Sequence, residues 1–166
     1  MNDRLAKAYI EDDFIIATIE IRHESFVEDD KPYALRVVND NQNFEGAIEH
    51  DAPIDPGEMV LFKSCPFQVT RPEKGNLIPS LSVRVDDVSL ILRPYLLKAM
   101  NFLSPIVLVY REYLESVPEP QMIYNYRVLK TTGSGTVEFV GEMINYYNRK
   151  ILTHKISIDE FPGLSR

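Results

Sequence analysis

Residues 81–86, with the sequence LSVRVD, alternate apolar and polar side chains and form the clearest strand pattern in the chain. Leu81, Val83 and Val85 share one face, and the polar side chains between them share the other, as in a half-buried strand. Immediately after it, from Val88 to Leu103, the apolar residues recur three and four positions apart, which predicts a helix. The fold is therefore expected to join strands to at least one helix that packs on them.

Two local signals bear on where this helix begins. Asp86 or Asp87 precedes its first apolar residue, and an aspartate there is a favourable N-cap. Pro94 either kinks a long helix or occupies the first turn of a shorter one that begins near Arg93. Both alternatives end at Ser104-Pro105.

Strand patterns extend on both sides of this junction. They cover residues 14–22, 33–38, 59–62 and 67–70 before it, and 106–114, 122–129, 136–147 and 151–158 after it. Polar residues predict loops at 23–32 and 39–58 and a turn at 116–120, and a short Gly-containing loop before residue 136 predicts a hairpin. The sequence therefore predicts a mainly β protein, a β-barrel or split barrel with one principal α-helix.

The length and composition predict a folded protein with one core. The chain has 166 residues, of which 45% are hydrophobic, enough for a core without disulfides or metal. Residues 1–13 are expected to form a short amphipathic N-terminal arm. Residues 14–166 are expected to form a single β-rich domain, or two small β subdomains that share a core.

Charge and cysteine content restrict the partners and the compartment. The 25 Asp and Glu against 18 Lys and Arg give a net charge of -7, which argues against nucleic-acid binding. The single cysteine, Cys65, cannot form an internal disulfide and favours synthesis in a reducing compartment. Residues 1–7 carry charges where a signal peptide needs an apolar core, and no apolar run is long enough to span a bilayer. We therefore expect cytoplasmic synthesis and no membrane anchor.

The chemistry-bearing residues do not form a recognisable site. His23, His50 and His154 are far apart and have no partner at metal-ligand spacing, and Cys65 has no adjacent histidine or cysteine. Ser134 lies between two glycines in a predicted hairpin loop and lacks the nucleophile-elbow pattern. The sequence therefore predicts no catalytic residue, no cofactor and no metal, and a protein that is not an enzyme.

Apolar residues within long polar segments are the candidates for protein contacts. Ring subunits can bury such side chains against their neighbours, whereas an isolated domain gains little from them. The terminal FPGL segment has the same character. The interface candidates are Phe44, Ile48, Ile54, Leu77, Ile78, Phe161, Pro162 and Leu164.

Tyrosines are frequent in the second half of a chain that has no tryptophan. They are Tyr113, Tyr124, Tyr126, Tyr146 and Tyr147. Tyr-rich strands are suited to binding a sugar or a partner protein. The alternative is that they form cross-strand pairs on the surface of a sheet. The sequence leaves both interpretations open.

The order of several short motifs resembles a known family. The strand 16–22 leads to HESF at 23–26 and LRVVND at 35–40, followed by LSVRVDDV at 81–88 and FPGL at 161–164. This order, from about residue 14 to residue 164, resembles a family of short phage proteins catalogued as a domain of unknown function. Glu24, Asp87 and Ser165 depart from that pattern, which usually has proline, asparagine and an aromatic residue at these positions.

The resemblance implies a minor tail protein of a siphophage, similar to the hub-type protein of lambda-like tails, whose hub domains are small β-barrels. It implies a structural component of the tail tip or baseplate that joins the tail tube to the hub or central fibre. With Cys65 alone, the cysteine-rich iron–sulfur part of some hubs is not expected. The implied partners are other tail proteins and copies of this chain, as a trimer, or as a hexamer higher on the tube.

The resemblance also places the mature protein in the virion tail, after synthesis in the bacterial host cytoplasm. Two other functions are compatible with the same residues. One is a distal-tail ring or tube-terminator protein of the same particle. The other is a carbohydrate- or receptor-binding module that uses the Tyr-rich strands.

Overall fold

The computed structural model describes residues 14–70, 80–86, 92–132 and 136–144. Within these ranges nine strands form one sheet and there is one helix, so the predicted mainly β fold with a single helix is confirmed. The strands are β1 (Ile15–Glu28), β2 (Lys31–Val38), β3 (Phe44–Ala47), β4 (Met59–Ser64), β5 (Phe67–Thr70), β6 (Ser80–Asp86), β7 (Val107–Leu114), β8 (Val117–Thr132) and β9 (Thr136–Met143). The helix α1 is Arg93–Ala99.

The strands are ordered β3-β4-β2-β1-β7-β8-β9-β6-β5 across the sheet. Neighbouring strands are antiparallel except β2 and β4, which run parallel. Only Cys65 and Pro66 separate β4 from β5, which lie near opposite ends of the strand order. Because this connection spans at most about 10 Å, the sheet must curl so that its ends approach each other. No strand pairing joins β5 to β3 or β4 in the described ranges, so the sheet is open and a barrel is not confirmed.

The region from residue 23 to residue 32, predicted as a loop, is the far end of a hairpin. Asp29 and Asp30 have φ values of 50° and 62° and form the two-residue turn between β1 and β2. Two successive positive φ values are typical of a type I′ turn, which matches the twist of antiparallel strands. The register of β1 with β2 is irregular between Arg22 and Val27 and interrupts the alternation of side chains. For this reason the strand predicted from the sequence ended at Arg22.

Two further predictions of irregular structure were correct only in part. Residues 39–58 are irregular except for the short strand β3, which pairs with β4. Of the predicted turn at 116–120, Ser116 lies in a turn with Glu115, but β8 begins at Val117, the partner of Leu114. The predicted arm at 1–13 and the last predicted strand at 151–158 lie outside the described residues.

The helix follows the shorter of the two alternatives. Pro94 lies in its first turn, and Leu92 is the N-cap without a side-chain hydrogen bond. Asp86 belongs to β6 and does not cap the helix, and Asp87 lies outside the described residues. Because the helix ends at Ala99, Met100 and Leu103 do not continue its buried face, and both are exposed.

Two hydrophobic cores lie on opposite faces of β1, β2 and β7. The main core takes Ile19, Leu35 and Leu108 from these strands, and α1 packs against it. The second core takes Val38 and Tyr113 from the other face. The loop of residues 48–58 covers it, and so do β3 and β4. We call β3 and β4 together the ribbon. The middle of the molecule therefore has α1 on one side and the ribbon on the other.

Candidate interaction surfaces and a buried ion-pair cluster

Charged side chains are buried beside the second core. Glu20 on β1 is fully buried, and its carboxylate accepts hydrogen bonds from Arg22 and Arg36. The distance from Arg36 Nε to Glu20 Oε2 is 2.7 Å, and Arg111 Nη2 lies 3.5 Å from Glu20 Oε1. Strand pairing produces this arrangement, because Arg36 is the partner of Glu20 on β2 and Arg111 faces Thr18 on β7.

The loop of residues 48–58 supplies two more carboxylates. Glu49 accepts two hydrogen bonds from Arg111, at 2.8 Å from Nε and 2.7 Å from Nη2. Asp55 Oδ2 lies 2.8 Å from Arg36 Nη2. We call Glu20, Arg22, Arg36, Glu49, Asp55 and Arg111 the ion-pair cluster. Its three carboxylates balance its three guanidinium groups, so the cluster fastens the loop to the sheet without leaving net charge.

Electrostatics within the cluster favour the charged forms of Glu49 and Arg111. Burial acts to raise the pKa of Glu49, but the hydrogen bonds and charge of Arg111, with help from Arg22, outweigh it and lower that pKa. Burial likewise acts to lower the pKa of Arg111, but the hydrogen bonds that it donates to Glu49 and the charges of Glu20 and Glu49 raise it. Groups held in their charged forms in this way stabilise a structure and are not suited to exchanging protons at neutral pH.

A histidine connects β1 to the segment after α1. The backbone N–H of Ser25 donates to His23 Nδ1 at 3.1 Å, so His23 Nε2 carries the proton and donates to the carbonyl oxygen of Ser104 at 3.1 Å. The imidazole also contacts the rings of Phe26 and Phe102. Because backbone groups occupy both ring nitrogens, His23 positions residues 100–104 against the hairpin.

The structure covers two of the predicted interface residues with the chain itself. Ile48 is only 2% exposed in the second core, and Phe44 packs edge-on against Tyr113 with ring centroids 5.0 Å apart. Ile54 is half-buried in the loop beside the ion-pair cluster. The other five, Leu77, Ile78, Phe161, Pro162 and Leu164, lie outside the described residues. A role for these eight residues in an interface stays a prediction.

An apolar surface that the sequence did not reveal lies at the end of α1. Leu97, Met100, Phe102 and Leu103 are exposed, and we call them the helix patch. Met100 is 79% exposed and the side chain of Leu103 is fully exposed. The three–four spacing of Met100 and Leu103 predicted that they belong to the buried face of a longer helix. Pro94 was the available signal that the helix is short.

A second apolar surface lies on the outer face of the ribbon. Met59 and Leu61 are 55% and 48% exposed on β4, whereas Phe62 points into the second core. We call Met59 and Leu61 the ribbon patch. Glu45 is the cross-strand partner of Leu61 and shares its face. The run of four apolar residues in β4 was the sequence signal for this surface. Successive residues of a strand point to opposite faces, and a ribbon that covers one core can bury only one of them, so the other face carries exposed apolar side chains.

The tyrosines of the second half mostly face inward. Tyr113 is fully buried and Tyr126 nearly so. Tyr110 and Tyr124 are cross-strand partners whose rings stack with centroids 6.4 Å apart. Tyr124 is therefore in a cross-strand pair, as one interpretation predicted, but the pair packs in the main core and not on the sheet surface. Two of the five candidate rings are not accessible to a sugar. Tyr146 and Tyr147 lie outside the described residues.

The described part of the chain thus forms a mainly β protein with one helix, two larger cores, a small third cluster around Leu114, and an apolar surface patch on each side. In the same ranges no three His, Cys, Asp or Glu side chains are grouped to hold a metal ion. Nor does any helix among the described residues have the length and apolarity to cross a membrane.

The chain belongs to the family described as a domain of unknown function (DUF1833), whose model matches residues 2–134. The matched region contains the ion-pair cluster and both patches, whereas β9 follows it. A search of curated proteins found no match.

Proposed function

We propose that this chain is a structural subunit of the tail tip or baseplate of a long-tailed bacteriophage. In this role it joins the tail tube to the hub or central fibre through protein–protein contacts. The phage assignment is supported by the motif order described above, above all by LRVVND at 35–40 and FPGL at 161–164. Membership of a family of unknown function is compatible with it.

The helix patch is the structural observation that supports a role in assembly. Apolar side chains grouped on the surface are typical of protein contacts, whereas scattered ones are ordinary. The segment that carries this patch is held to the hairpin by His23 and to the main core by Ala99. A surface presented from a fixed segment loses little conformational entropy when it binds.

A distal-tail ring or tube terminator is the alternative from the same particle. It uses the same kind of contact and differs in its place along the tail. Labelled particles viewed by electron microscopy separate the two, because a tip subunit lies beyond the distal end of the tube. A glycan-binding module has less support, because Tyr113 and Tyr126 are buried.

The proposal is tested in a phage whose copy of this gene carries a nonsense mutation. We expect particles without a functional tip, and rescue by the wild-type gene. Met100→Glu with Leu103→Glu should fold but fail to rescue, because charge prevents burial of the helix patch. Leu129→Glu, which replaces an exposed apolar residue on β8, is the matched control and should rescue. Normal tails and full infectivity without the gene would refute the proposal.

The predicted role of the C-terminal segment is tested in the same system. Deletion of residues 161–166 is expected to leave a folded subunit that does not enter tails. Normal incorporation of the truncated protein would remove Phe161, Pro162 and Leu164 from the interface.

A further inference from the structure

We infer that copies of this chain bind one another head to tail, with the helix patch of one copy against the ribbon patch of the next. This inference rests on the proposed assembly role and names the partner, a second copy of the chain. Three observations support it: the positions of the two patches, the charged residues beside them, and the exposed apolar side chains that form them.

The two patches lie on opposite sides of the central strands. The helix patch is on the side of the main core, because α1 packs there through Leu92 and Ala99. The ribbon patch is on the side of the second core, which the ribbon covers through Phe62. A copy can therefore use both patches at once, one toward each neighbour. Contacts between unlike patches build rings or filaments, whereas contacts between like patches stop at a two-fold dimer.

The charged residues of α1 and those that flank the ribbon patch are mostly of opposite sign. Arg93 and Lys98 are exposed on α1 next to the helix patch, and Glu28 of β1 is an acidic residue that acts electrostatically on Tyr95 of this helix. Glu45 shares the face of the ribbon patch, and the exposed Glu58 precedes Met59. Complementary charges around an apolar contact favour the matched pairing and disfavour like-with-like pairing, which would bring Lys98 of two copies together. Lys63 is the one basic residue on the ribbon face and lies at the end of β4 nearest β5.

The size of the patches suits them as the centre of a larger contact. A stable interface has about 20–30 residues on each side, and a few buried anchors contribute most of the binding energy. Met100 and Leu103 are the most exposed residues of the helix patch, and Met59 and Leu61 are each about half exposed on β4, so both patches offer apolar side chains that can act as anchors.

The first test compares variants of the purified full-length chain. Met100→Glu with Leu103→Glu removes the helix patch, and Met59→Glu with Leu61→Glu removes the ribbon patch. Light scattering and native mass spectrometry should show an oligomer of more than two copies for the wild type. Each patch variant should fall to the mass of one chain, and Leu129→Glu should keep the wild-type mass. Circular dichroism and a cooperative melt establish that each variant is folded.

The second test mixes the two patch variants. Each variant alone has only one working patch, so together they can form one contact and should yield a species of two-chain mass. Because this species forms only from folded chains, it excludes misfolding as the cause of the monomers. A contact between two helix patches predicts instead that the ribbon variant keeps its oligomeric mass. That result, a mixture that stays monomeric, or a wild type that is monomeric at every concentration would overturn the inference.

The outcomes separate this inference from the proposed function. Self-association is measured on purified protein without phage particles. Head-to-tail assembly in solution together with normal particles in the absence of the gene would refute the tail-tip role and leave the contact standing. A monomeric wild type together with defective particles would refute the contact and leave the tail-tip role standing.

Discussion

Arg111 on β7 donates two hydrogen bonds to the carboxylate of Glu49, a residue 62 positions earlier in the chain. Arg111 is completely buried, and its Nη2 group also lies 3.5 Å from Glu20. This pair holds the loop of residues 48–58 over the second core. The loop in turn brings Asp55 to Arg36, so this pair adds the two carboxylates of the loop to the charges that strand pairing places around Glu20.

Removing the guanidinium group should destabilise the protein strongly. Arg111→Met leaves Glu49 and Glu20 without their shared partner, and breaking a buried ion pair in this way costs about 3–5 kcal/mol. Arg111→Lys keeps the charge but cannot form both hydrogen bonds, so a smaller loss is expected. Urea denaturation measures the free energy of unfolding. Arg84→Met is the control, since Arg84 is exposed on β6 and its replacement should change that free energy by less than about 0.5 kcal/mol. A loss below about 1 kcal/mol for Arg111→Met would contradict the assigned role.

Acid should weaken the attachment of this loop. The pKa of Glu49 is lower in the folded protein than its usual value, so the folded state favours the ionised form. Stability from this group is therefore complete above the unfolded pKa, about 4.3, and is lost as the pH falls through the folded pKa. Thermal melts between about pH 7 and pH 3 should show a smaller decline for Glu49→Gln than for the wild type. Parallel curves for the two proteins would show that Glu49 does not contribute.

The turn of the β1–β2 hairpin offers a stabilising change. Asp30 has a φ of 62°, and a side chain in this region costs about 1 kcal/mol relative to glycine. Asp30→Gly should therefore raise the free energy of unfolding by about 0.5 kcal/mol, after allowance for the greater freedom of glycine in the unfolded chain. Asp30→Val should lower it, because a β-branched side chain does not tolerate this conformation. The opposite order of the two variants would exclude the type I′ turn.

The close packing at Gly46 should not accept a methyl group. A Cβ atom there would lie 2.7 Å from Phe44 Cε1 and 2.9 Å from Tyr113 Cε1. Gly46→Ala should therefore reduce stability by about 1–3 kcal/mol through overpacking. Adding Phe44→Leu makes room, so the double variant should lose less than the sum of the two single variants. Additive losses would show that the ring of Phe44 does not restrict this position.

Local patterns were sufficient where a strand alternates without interruption or forms one long, mostly apolar run. The prediction for β5 matches its observed bounds, and those for β6 and β7 agree within one residue. The parallel pairing of β2 with β4 and the curl of the sheet had no such signal. They arise from contacts between residues far apart in sequence.

The candidate surfaces were harder to predict than the strands. Phe44 and Ile48 were selected as apolar residues of a long loop, and the structure packs both into the second core. Met100 and Leu103 were assigned to a buried helix face and are exposed, because the helix ends at Ala99. Burial of an apolar side chain depends on which distant element covers it, and periodicity describes only the element itself.

By itself, the sequence determined that the described part of this protein is mainly β with one helix, since side-chain alternation and a three–four repeat are local properties of the chain. Tertiary structure alone decided that Glu20 and Arg111 are buried and that Arg36 is mostly covered. In their strands they occupy the polar positions, which in an open sheet face water. The loop of residues 48–58 folds over that face, and each charge that loses water there meets an opposite charge, which offsets the cost of desolvation. The sequences of β1, β2 and β7 do not indicate that a loop from another part of the chain covers this face.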